Sequence, residues 1–342
     1  MSNQSSSTGA LLINLGTPDA PTTPAVRRFL AEFLSDPRVL TLPGPLRFLL
    51  LHGIILRTRP RRSAAAYAEI WQPEGSPLMI HGRALHAAVE TALDETMPVE
   101  LAMRYGQPSV DEALQRLSDR GIRRLIVLPL FPQYSEACTG SILAHVETRS
   151  RKLGKPFERV AVRHFFDHPG FIRSAARLAR SVLDEIDAEH LLMSFHGLPE
   201  SQVKQVEGCL VRPDCCTDPG PRLKSCYRAQ CFATGRALHA ALELQEGQST
   251  VAFQSRLGRQ PWIQPYTDQV IQSLRDRGVR RLAVICPAFV ADNIETLEEI
   301  GLRLREDWLS LGGESFGLVP CVNAEPEWVE GVAQMVTEAA TA

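Results

Sequence analysis

Short apolar runs alternate along the chain with longer amphipathic segments. Apolar runs of this length between Gly and Pro predict buried strands, and strands that alternate with helices indicate a parallel α/β sheet. The predicted strands are Leu11–Leu15, Val99–Tyr105, Leu125–Leu128, Val160–His164, Leu191–Phe195, Thr250–Gln254, Leu282–Cys286 and Phe316–Pro320. The clearest predicted helices are Pro24–Leu34, 63–72, Leu78–Leu93, Ser109–Ser118, Ala175–Ile186, Ala291–Glu306 and Glu327–Ala339.

One helix–strand unit occurs twice. The segment 107–128, QPSVDEALQRLSDRGIRRLIVL, aligns without a gap with 264–285, QPYTDQVIQSLRDRGVRRLAVI, and twelve of the 22 positions are identical. A weaker likeness relates LLINLGTP at 11–18 to LLMSFHGLP at 191–199, where the second copy inserts His196 before the glycine. The chain therefore contains two copies of one α/β unit.

The repeat predicts two flavodoxin-like (Rossmann-like) domains, each with a parallel four-stranded sheet. We place the first at 1–166 and the second at 167–342, and the last helix, about 327–340, is a candidate to pack on the first domain. Ligands of such sheets bind at the carboxyl ends of the strands, so we expect a cleft lined by both sheets.

Composition narrows the function classes. The 342 residues carry a net charge of −2, with 44% hydrophobic and 22% charged residues, which argues against a nucleic-acid partner. The start, MSNQSSSTGA, lacks the features of a signal peptide, and no run reaches the roughly 20 apolar residues of a membrane span. We expect a cytoplasmic protein.

An apolar run beside a basic run is the one candidate membrane contact. LRFLLLHGIIL at 46–56 is followed by RTRPRR at 57–62. Such a pair favours a site on a membrane surface or for an apolar ligand, and a buried helix with a solvated basic end is the alternative.

Five of the eight cysteines fall within 208–231, a segment rich in Pro and Gly. They are Cys209, Cys215, Cys216, Cys226 and Cys231. Thiolates at short spacing are typical of an Fe–S cluster or zinc, and these spacings match neither the ferredoxin pattern nor a paired zinc motif.

Three further places could carry chemistry. His196 follows a buried strand and precedes a glycine turn, where open α/β sheets place ligand sites; a structural histidine is the alternative. Glu295, Glu298 and Glu299 lie at the start of a predicted helix, and Glu295 and Glu299, four apart, would put two like charges on one face and raise at least one pKa. The alternative is that acidic residues favour the first turn of a helix because of its dipole. Arg256, Arg259, Trp262 and Tyr266 follow a strand. Arginines with an aromatic ring suit a flat, carboxylated aromatic ligand, and structural packing of the tryptophan is the alternative.

With these residues laid out, the chain resembles the ferrochelatases over nearly its whole length. The likeness lies in LLINLGTPDAPT, GSPL, LPLFPQYSEACTGS, SFHGLP, FQSRLGRQPWIQPYTD and CPAFVADNIETLEEI, which occur in the family's order. Several long motifs in order are far more specific than one short pattern.

The resemblance implies insertion of Fe²⁺ into protoporphyrin IX with release of two protons. It assigns His196 and Glu295 to the insertion site, as catalytic groups and ligands of the substrate iron, and Glu299 to a path for protons or metal. It places Leu15, Tyr134, Trp262 and Phe289 against the porphyrin, and 46–67 as an apolar lip that could touch a membrane. Members with an apolar residue at the position of Leu15 tend to use protoporphyrin.

The chain departs from the family pattern in three ways. Asn293 stands where many relatives have His or Cys, and Arg303 stands at an often acidic position. The cysteine segment is also longer than in ordinary relatives, whose single cysteine matches Cys231. Some bacterial ferrochelatases carry a [2Fe–2S] cluster, so this segment resembles a cluster-binding insertion, with zinc as the alternative. Cys209, Cys226 and Cys231 are the favoured ligands, and Cys215 and Cys216 compete for the fourth position.

Other functions stay open at this stage. A chelatase of the same build could act on coproporphyrin III or sirohydrochlorin, or insert cobalt. A porphyrin or haem carrier would need neither His196 nor Glu295, and an electron carrier would use the cysteine segment alone. The sequence does not determine the oligomeric state.

Overall fold

A computed structural model describes residues 8–93, 97–154, 157–206, 209, 214–256, 258 and 260–342. These residues form two compact units. The first comprises the chain up to Phe131, then Glu136–His164 and Val329–Ala342; the second comprises Pro132–Ser135 and Phe165–Trp328.

Each unit contains a parallel sheet of four strands, as the repeat predicts. The first sheet has the order β2-β1-β3-β4 and the second the order β6-β5-β7-β8, so β1 and β5 occupy equivalent inner positions. The strands are β1 (Thr8–Asn14), β2 (Val99–Met103), β3 (Arg124–Pro129), β4 (Glu158–Ala161), β5 (His190–His196), β6 (Ser249–Gln254), β7 (Arg281–Ile285) and β8 (Ser315–Leu318).

Helices occupy the connections between these strands. In the first unit they are α1 (Thr23–Ser35), α2 (Gly44–Leu50), α3 (Leu56–Ile70), α4 (Pro77–Leu93), α5 (Val110–Asp119) and α6 (Ser141–Lys152), with π-helical turns at Leu51–Ile55 and Glu136–Gly140. The second contains α7 (Pro169–Glu185), α8 (Glu200–Val203), a 3₁₀ turn (Gly220–Lys224), α9 (Tyr227–Ala241), α10 (Thr267–Asp276), a π-helix (Glu295–Leu304) and α11 (Arg305–Ser310). The last helix, α12, runs over Pro326–Thr341.

The two repeat copies fold alike. Gly121 and Gly278 end α5 and α10 with positive φ, at 78° and 88°, and the next residue of each copy donates to the helix carbonyl five positions back. Both copies bury the same positions, with Leu117 and Leu125 in the first core and Leu274 and Leu282 in the second. The apolar pattern therefore determines the same helix–strand packing twice.

Several predicted elements have other bounds than the observed ones: the helices predicted over 63–72 and Ala175–Ile186 begin earlier, at Leu56 and Pro169. The helix predicted over Ala291–Glu306 begins only at Glu295, because Asp292 and Asn293 use their side chains to bond nearby backbone N–H groups. The strand predicted over Val160–His164 runs over Glu158–Ala161 instead, paired with β3.

Candidate active site

His196 is the last residue of β5, and two hydrogen bonds fix it. Its Nδ1 lies 2.7 Å from the carbonyl oxygen of Gly197, and Tyr227 donates its hydroxyl to the His196 carbonyl at 2.7 Å. A carbonyl only accepts, so this bond assigns the proton to Nδ1 and leaves the Nε2 lone pair as an acceptor. Burial lowers the pKa of His196 below its usual value, although the nearby Glu299 charge opposes this effect. The ring is therefore neutral near pH 7.

Two predicted porphyrin residues lie beside His196. A Cβ at Gly197 would stand 2.8 Å from the Gln254 carbonyl oxygen and 3.2 Å from Cε3 of Trp262, so only glycine lets the chain pass so close to both. Phe289 meets the His196 ring edge-on, with centroids 6.2 Å apart and planes at 76°. Phe289 therefore contacts the His196 ring, and Trp262 packs against the glycine that follows it.

The Glu295–Leu304 helix has π geometry, and Asn293 caps it. The Asn293 side-chain oxygen accepts hydrogen bonds from the N–H groups of Glu295, at 2.9 Å, and Thr296, at 3.1 Å. Asp292 accepts from the Asn323 amide and from the Cys321 N–H, which ties this turn to the chain after β8. The Asn293 departure therefore supplies the first helical turn with a cap.

The three glutamates of this helix have different environments. Burial first, and then the charges of Glu299 and Glu298, raise the pKa of Glu295 to about 7. Glu299 accepts from the N–H and the hydroxyl of Ser255, at 2.9 and 2.6 Å. Glu298 pairs with Arg303, five positions on, a spacing that shares a face in a π-helix. Glu295 is therefore the group that exchanges a proton near neutral pH.

Gln254 and Ser255 link the histidine strand to this helix, and neither is predicted as a site residue from the sequence. The Gln254 amide nitrogen donates to the Glu295 carbonyl at 2.9 Å, while its backbone carbonyl accepts from Gly197 N–H at 2.9 Å. Ser255 adopts a φ of +65°, which turns its N–H and hydroxyl toward Glu299. Two polar residues at the end of a strand have no distinctive spacing. The one signal for Gln254 and Ser255 in the sequence was their place in the motif FQSRLGRQPWIQPYTD.

The other predicted porphyrin residues lie in separate places. Tyr134 is buried, and its N–H donates to the Gln230 side chain on α9 at 2.7 Å. Leu15 belongs to the first unit, directly after β1, where its carbonyl accepts from Tyr105 N–H. Arg256 pairs with Asp268 and lies over the Tyr266 ring at 4.5 Å. Arg259 lies outside the described residues.

The five clustered cysteines are buried free thiols. The Sγ atoms of Cys209 and Cys226 are 3.5 Å apart, and those of Cys215 and Cys216 are 3.9 Å apart. Arg228 donates to the Cys216 sulfur at 3.0 Å. Cys231 lies within α9 and bonds to Tyr227. Among the described residues, no three His, Cys, Asp or Glu side chains are gathered around a point that could hold one metal ion.

The segment around α2 presents apolar side chains to solvent. Leu46, Phe48, Leu49 and Ile54 are 52 to 66% exposed, beside the exposed guanidinium groups of Arg57, Arg61 and Arg62. Four of the seven large apolar side chains exposed in the described part of the chain belong to this patch. Within the same described ranges, no helix is long and apolar enough to cross a bilayer.

The end of β5 thus offers a neutral imidazole acceptor beside Phe289, and the helix bonded to Gln254 begins with a carboxyl group whose pKa is near neutrality. Groups of this kind exchange protons at neutral pH.

Comparisons with known proteins agree with this chemistry. The family model described as Ferrochelatase matches residues 7–340. A ferrochelatase of Coxiella burnetii (strain Dugway 5J108-111) is 46% identical over 331 residues, covering 96% of this chain and 92% of the relative. One from Azotobacter vinelandii is 46% identical, covering 95% and 97%. The crystal structure of the sirohydrochlorin chelatase SirB from Bacillus subtilis subspecies spizizenii, in complex with cobalt, shares the fold with a TM-score of 0.55 at 8% identity, covering 98% and 95%.

Proposed function

The chain belongs to the ferrochelatase family, and from this premise we propose that it inserts Fe²⁺ into protoporphyrin IX at the end of β5. His196 and Glu295 act on the substrates there. The observation that carries the assignment is that Gln254 connects the backbones of the two residues. It accepts a hydrogen bond from the N–H of Gly197, which follows the neutral His196, and it donates one to the backbone carbonyl of Glu295, whose carboxyl group has a pKa of about 7. Fe²⁺ is a substrate, and the porphyrin is the other.

The proton balance gives each group a task. Protoporphyrin carries two pyrrole N–H protons, and Fe²⁺ replaces both. Two protons therefore leave as four Fe–N bonds form, two of them at the nitrogens that lose a proton. Nε2 of His196 accepts a pyrrole proton, because Nδ1 is occupied by the Gly197 carbonyl. Glu295, in its ionised form, accepts the second pyrrole proton, and Glu299 continues the path for protons or metal. Glu298 is excluded from this path because Arg303 holds it.

The aromatic residues have a binding role. Trp262 packs against Gly197 and Phe289 meets the His196 ring edge-on, so a porphyrin stacked on these rings would lie beside the imidazole. Binding energy from the rest of the ring can then help to distort the macrocycle toward the transition state. We assign the remaining porphyrin contacts to Tyr134 and Leu15.

Anaerobic assay of the intact protein tests the activity itself. Protoporphyrin fluorescence should fall on addition of Fe²⁺ while the absorption of haem appears. Coproporphyrin III with Fe²⁺, and sirohydrochlorin with Co²⁺, serve as competing substrates and should be converted more slowly. Tight porphyrin binding without conversion would instead identify a carrier.

We further propose that Cys209, Cys215, Cys216 and Cys226 hold a [2Fe–2S] cluster. Two thiolates bound at about 2.3 Å to one tetrahedral metal stand roughly 3.8 Å apart, and the two close pairs lie at 3.5 and 3.9 Å. Two pairs suit two irons, and the sulfur-only donor set suits iron–sulfur chemistry. This pairing favours Cys215 and Cys216 over Cys231, whose thiol bonds to Tyr227. A bound cluster would supply a cross-link between the pairs, and iron insertion involves it in no step.

Serine variants provide the test of this ligand set. C209S, C215S, C216S and C226S should each lose most of the iron content and visible absorption of the purified protein, because each removes one of four ligands. Cys231→Ser is the matched control, since Cys231 is equally buried in the same segment, and it should keep both signals. Loss of the chromophore in C231S with retention in C215S or C216S would contradict the set, and zinc in place of iron would identify the other metal.

We also propose that the patch of Leu46, Phe48, Leu49 and Ile54 rests on the cytoplasmic face of a membrane. Its neighbouring arginines would attract anionic lipid headgroups, at about 1 kcal/mol for each charge near the surface. The exposed apolar side chains would enter the acyl boundary. An apolar substrate such as protoporphyrin could then pass directly between membrane and enzyme.

Vesicle flotation checks this contact. The wild type should float with vesicles that contain anionic phospholipid, and the Phe48→Ser/Leu49→Ser variant should bind at least about tenfold more weakly, because each large apolar side chain contributes about 1.5–3 kcal/mol when buried. Leu302→Ser/Leu309→Ser is the control, since these side chains are also exposed but lie elsewhere. Equal flotation of both variants would contradict the proposal.

A further inference from the structure

Gln254 is a buried amide that is bonded on every side. Only 4% of the residue is exposed. Its carbonyl accepts from Gly197 N–H at 2.9 Å, its amide nitrogen donates to the Glu295 carbonyl at 2.9 Å, and its amide oxygen accepts from the Ser194 hydroxyl at 2.7 Å. The Cys286 thiol reaches the same oxygen at 3.7 Å.

These bonds join the two groups assigned to the reaction. Gly197 directly follows His196, so its N–H fixes where β5 turns away from the sheet. Glu295 is the first residue of the π-helix, and its carbonyl is a backbone atom of the same residue that carries the carboxyl group. Gln254 therefore holds the backbone next to His196 and the backbone of Glu295, from which the imidazole and the carboxyl group extend.

Hydrogen bonds to Ser194 oppose rotation of the Gln254 side-chain amide. Ser194 donates to the amide oxygen and also bonds to the Thr267 hydroxyl at 2.8 Å, and both are buried. With its oxygen held by Ser194, the Gln254 amide must present its NH₂ group to Glu295. A buried network in which every member is paired specifies one geometry, because any rotation leaves a polar group unsatisfied.

The first unit shows what this junction looks like without the amide. A Cβ at Gly16 would meet the Tyr105 carbonyl oxygen at 1.8 Å, as one at Gly197 would meet that of Gln254. The residue at the equivalent place is thus Tyr105, and its hydroxyl bonds to Asp36 on the C-cap of α1. The fold therefore needs a close glycine at this junction, whereas the amide occurs only where the histidine is.

We infer that Gln254 is a positioning residue, which sets the distance between His196 and the Glu295 carboxyl group. The inference rests on the proposed function of these two residues. Gln254 is buried and bonds to protein groups, so we place its action in the backbone of Gly197 and Glu295.

A double-mutant cycle in kcat tests the inference. Gln254→Met keeps the length of the side chain and removes its donor and acceptor, and we expect kcat to fall about tenfold to a hundredfold while the KM for porphyrin changes less than threefold. Glu295→Asp withdraws the carboxyl group and should itself lower kcat by at least about tenfold. Added to Glu295→Asp, Gln254→Met should lower kcat by less than twofold more, because residues that act as a unit are not additive.

Two variants guard against a merely structural effect. Gln133→Met removes another buried amide, which donates to the Thr234 hydroxyl and the Pro287 carbonyl, and should lower the Tm as much as Gln254→Met without the fall in kcat. Ser194→Ala keeps the amide and removes the bond that orients it, so it serves if Gln254→Met does not fold. It should lower kcat about threefold to fivefold, again only when Glu295 is intact.

The outcomes separate this inference from the function on which it rests. Gln254 is not a positioning residue if Gln254→Met and Ser194→Ala keep the wild-type kcat. The same holds if they lower kcat by the same factor whether residue 295 is Glu or Asp. Either result leaves the proposal of iron insertion by His196 and Glu295 intact. If Glu295→Asp retains full kcat, the assignment of Glu295 fails and the positioning role fails with it.

Discussion

Replacement of His196 by alanine is expected to lower the kcat of iron insertion by at least about a hundredfold, the usual contribution of a positioned acid–base group. The imidazole is neutral because burial lowers its pKa, and its Nε2 is the free acceptor because Nδ1 bonds to Gly197. Alanine removes that acceptor but leaves the β5 backbone and its Tyr227 bond in place. The measurement is the anaerobic rate of haem formation at saturating porphyrin.

The same strand supplies the control. His190 begins β5, is 2% exposed, and bonds to the Thr250 hydroxyl at 3.0 Å. His190→Gln keeps a hydrogen-bonding side chain there and should leave kcat within about twofold of the wild type. Porphyrin binding, followed by quenching of protein fluorescence, should survive in H196A. Equal rates for H196A and the wild type would exclude His196 from the reaction.

Replacement of Glu295 by glutamine should abolish activity and stabilise the fold at the same time. Glutamine cannot ionise, so we expect a fall in kcat of about a hundredfold or more. The folded protein holds Glu295 with a pKa of about 7, against roughly 4.3 when unfolded. Between these values the folded state binds more protons, so this residue lowers the free energy of unfolding as pH rises from about 4.5 through 7.

The expected stabilisation follows from that sign. At pH 8 the E295Q protein should gain about 1–3 kcal/mol in the free energy of unfolding, and the gain should disappear near pH 4.5. Wild-type activity should fall as pH is lowered through about 7, as Glu295 becomes protonated. Glu298→Gln is the control, because Glu298 pairs with Arg303 and has the smaller effect of the two charges that raise the pKa of Glu295. At pH 8, where Glu295 is ionised, this variant should keep the wild-type rate. An active E295Q, or one without added stability at pH 8, would contradict the environment described for Glu295.

The sequence predicted the parts of the molecule that depend on apolar pattern. The two four-stranded parallel sheets are confirmed, because buried strands bounded by Gly and Pro leave a periodic signal. The repeat also placed the ends of α5 and α10, where Gly121 and Gly278 adopt positive φ. These features are encoded locally.

The details of the candidate site depend on contacts that pattern does not record. The start of the Glu295 helix was predicted four residues early, since nothing in its apolar spacing shows that Asn293 caps the helix. The π geometry that pairs Glu298 with Arg303 was also absent from the prediction. Gln254 was missed because its partners, Gly197 and Glu295, are distant in sequence and are bound through backbone atoms.

The repeated unit also has a consequence for the history of the chain. Two sheets of one strand order, with like helix ends and like cores, are what duplication of a single ancestral segment leaves behind. After such an event one copy can preserve the framework while the other gains new residues at no cost to it. At this junction the two copies differ in two ways. The second has a histidine inserted before the glycine, and it has Gln254 where the first has Tyr105.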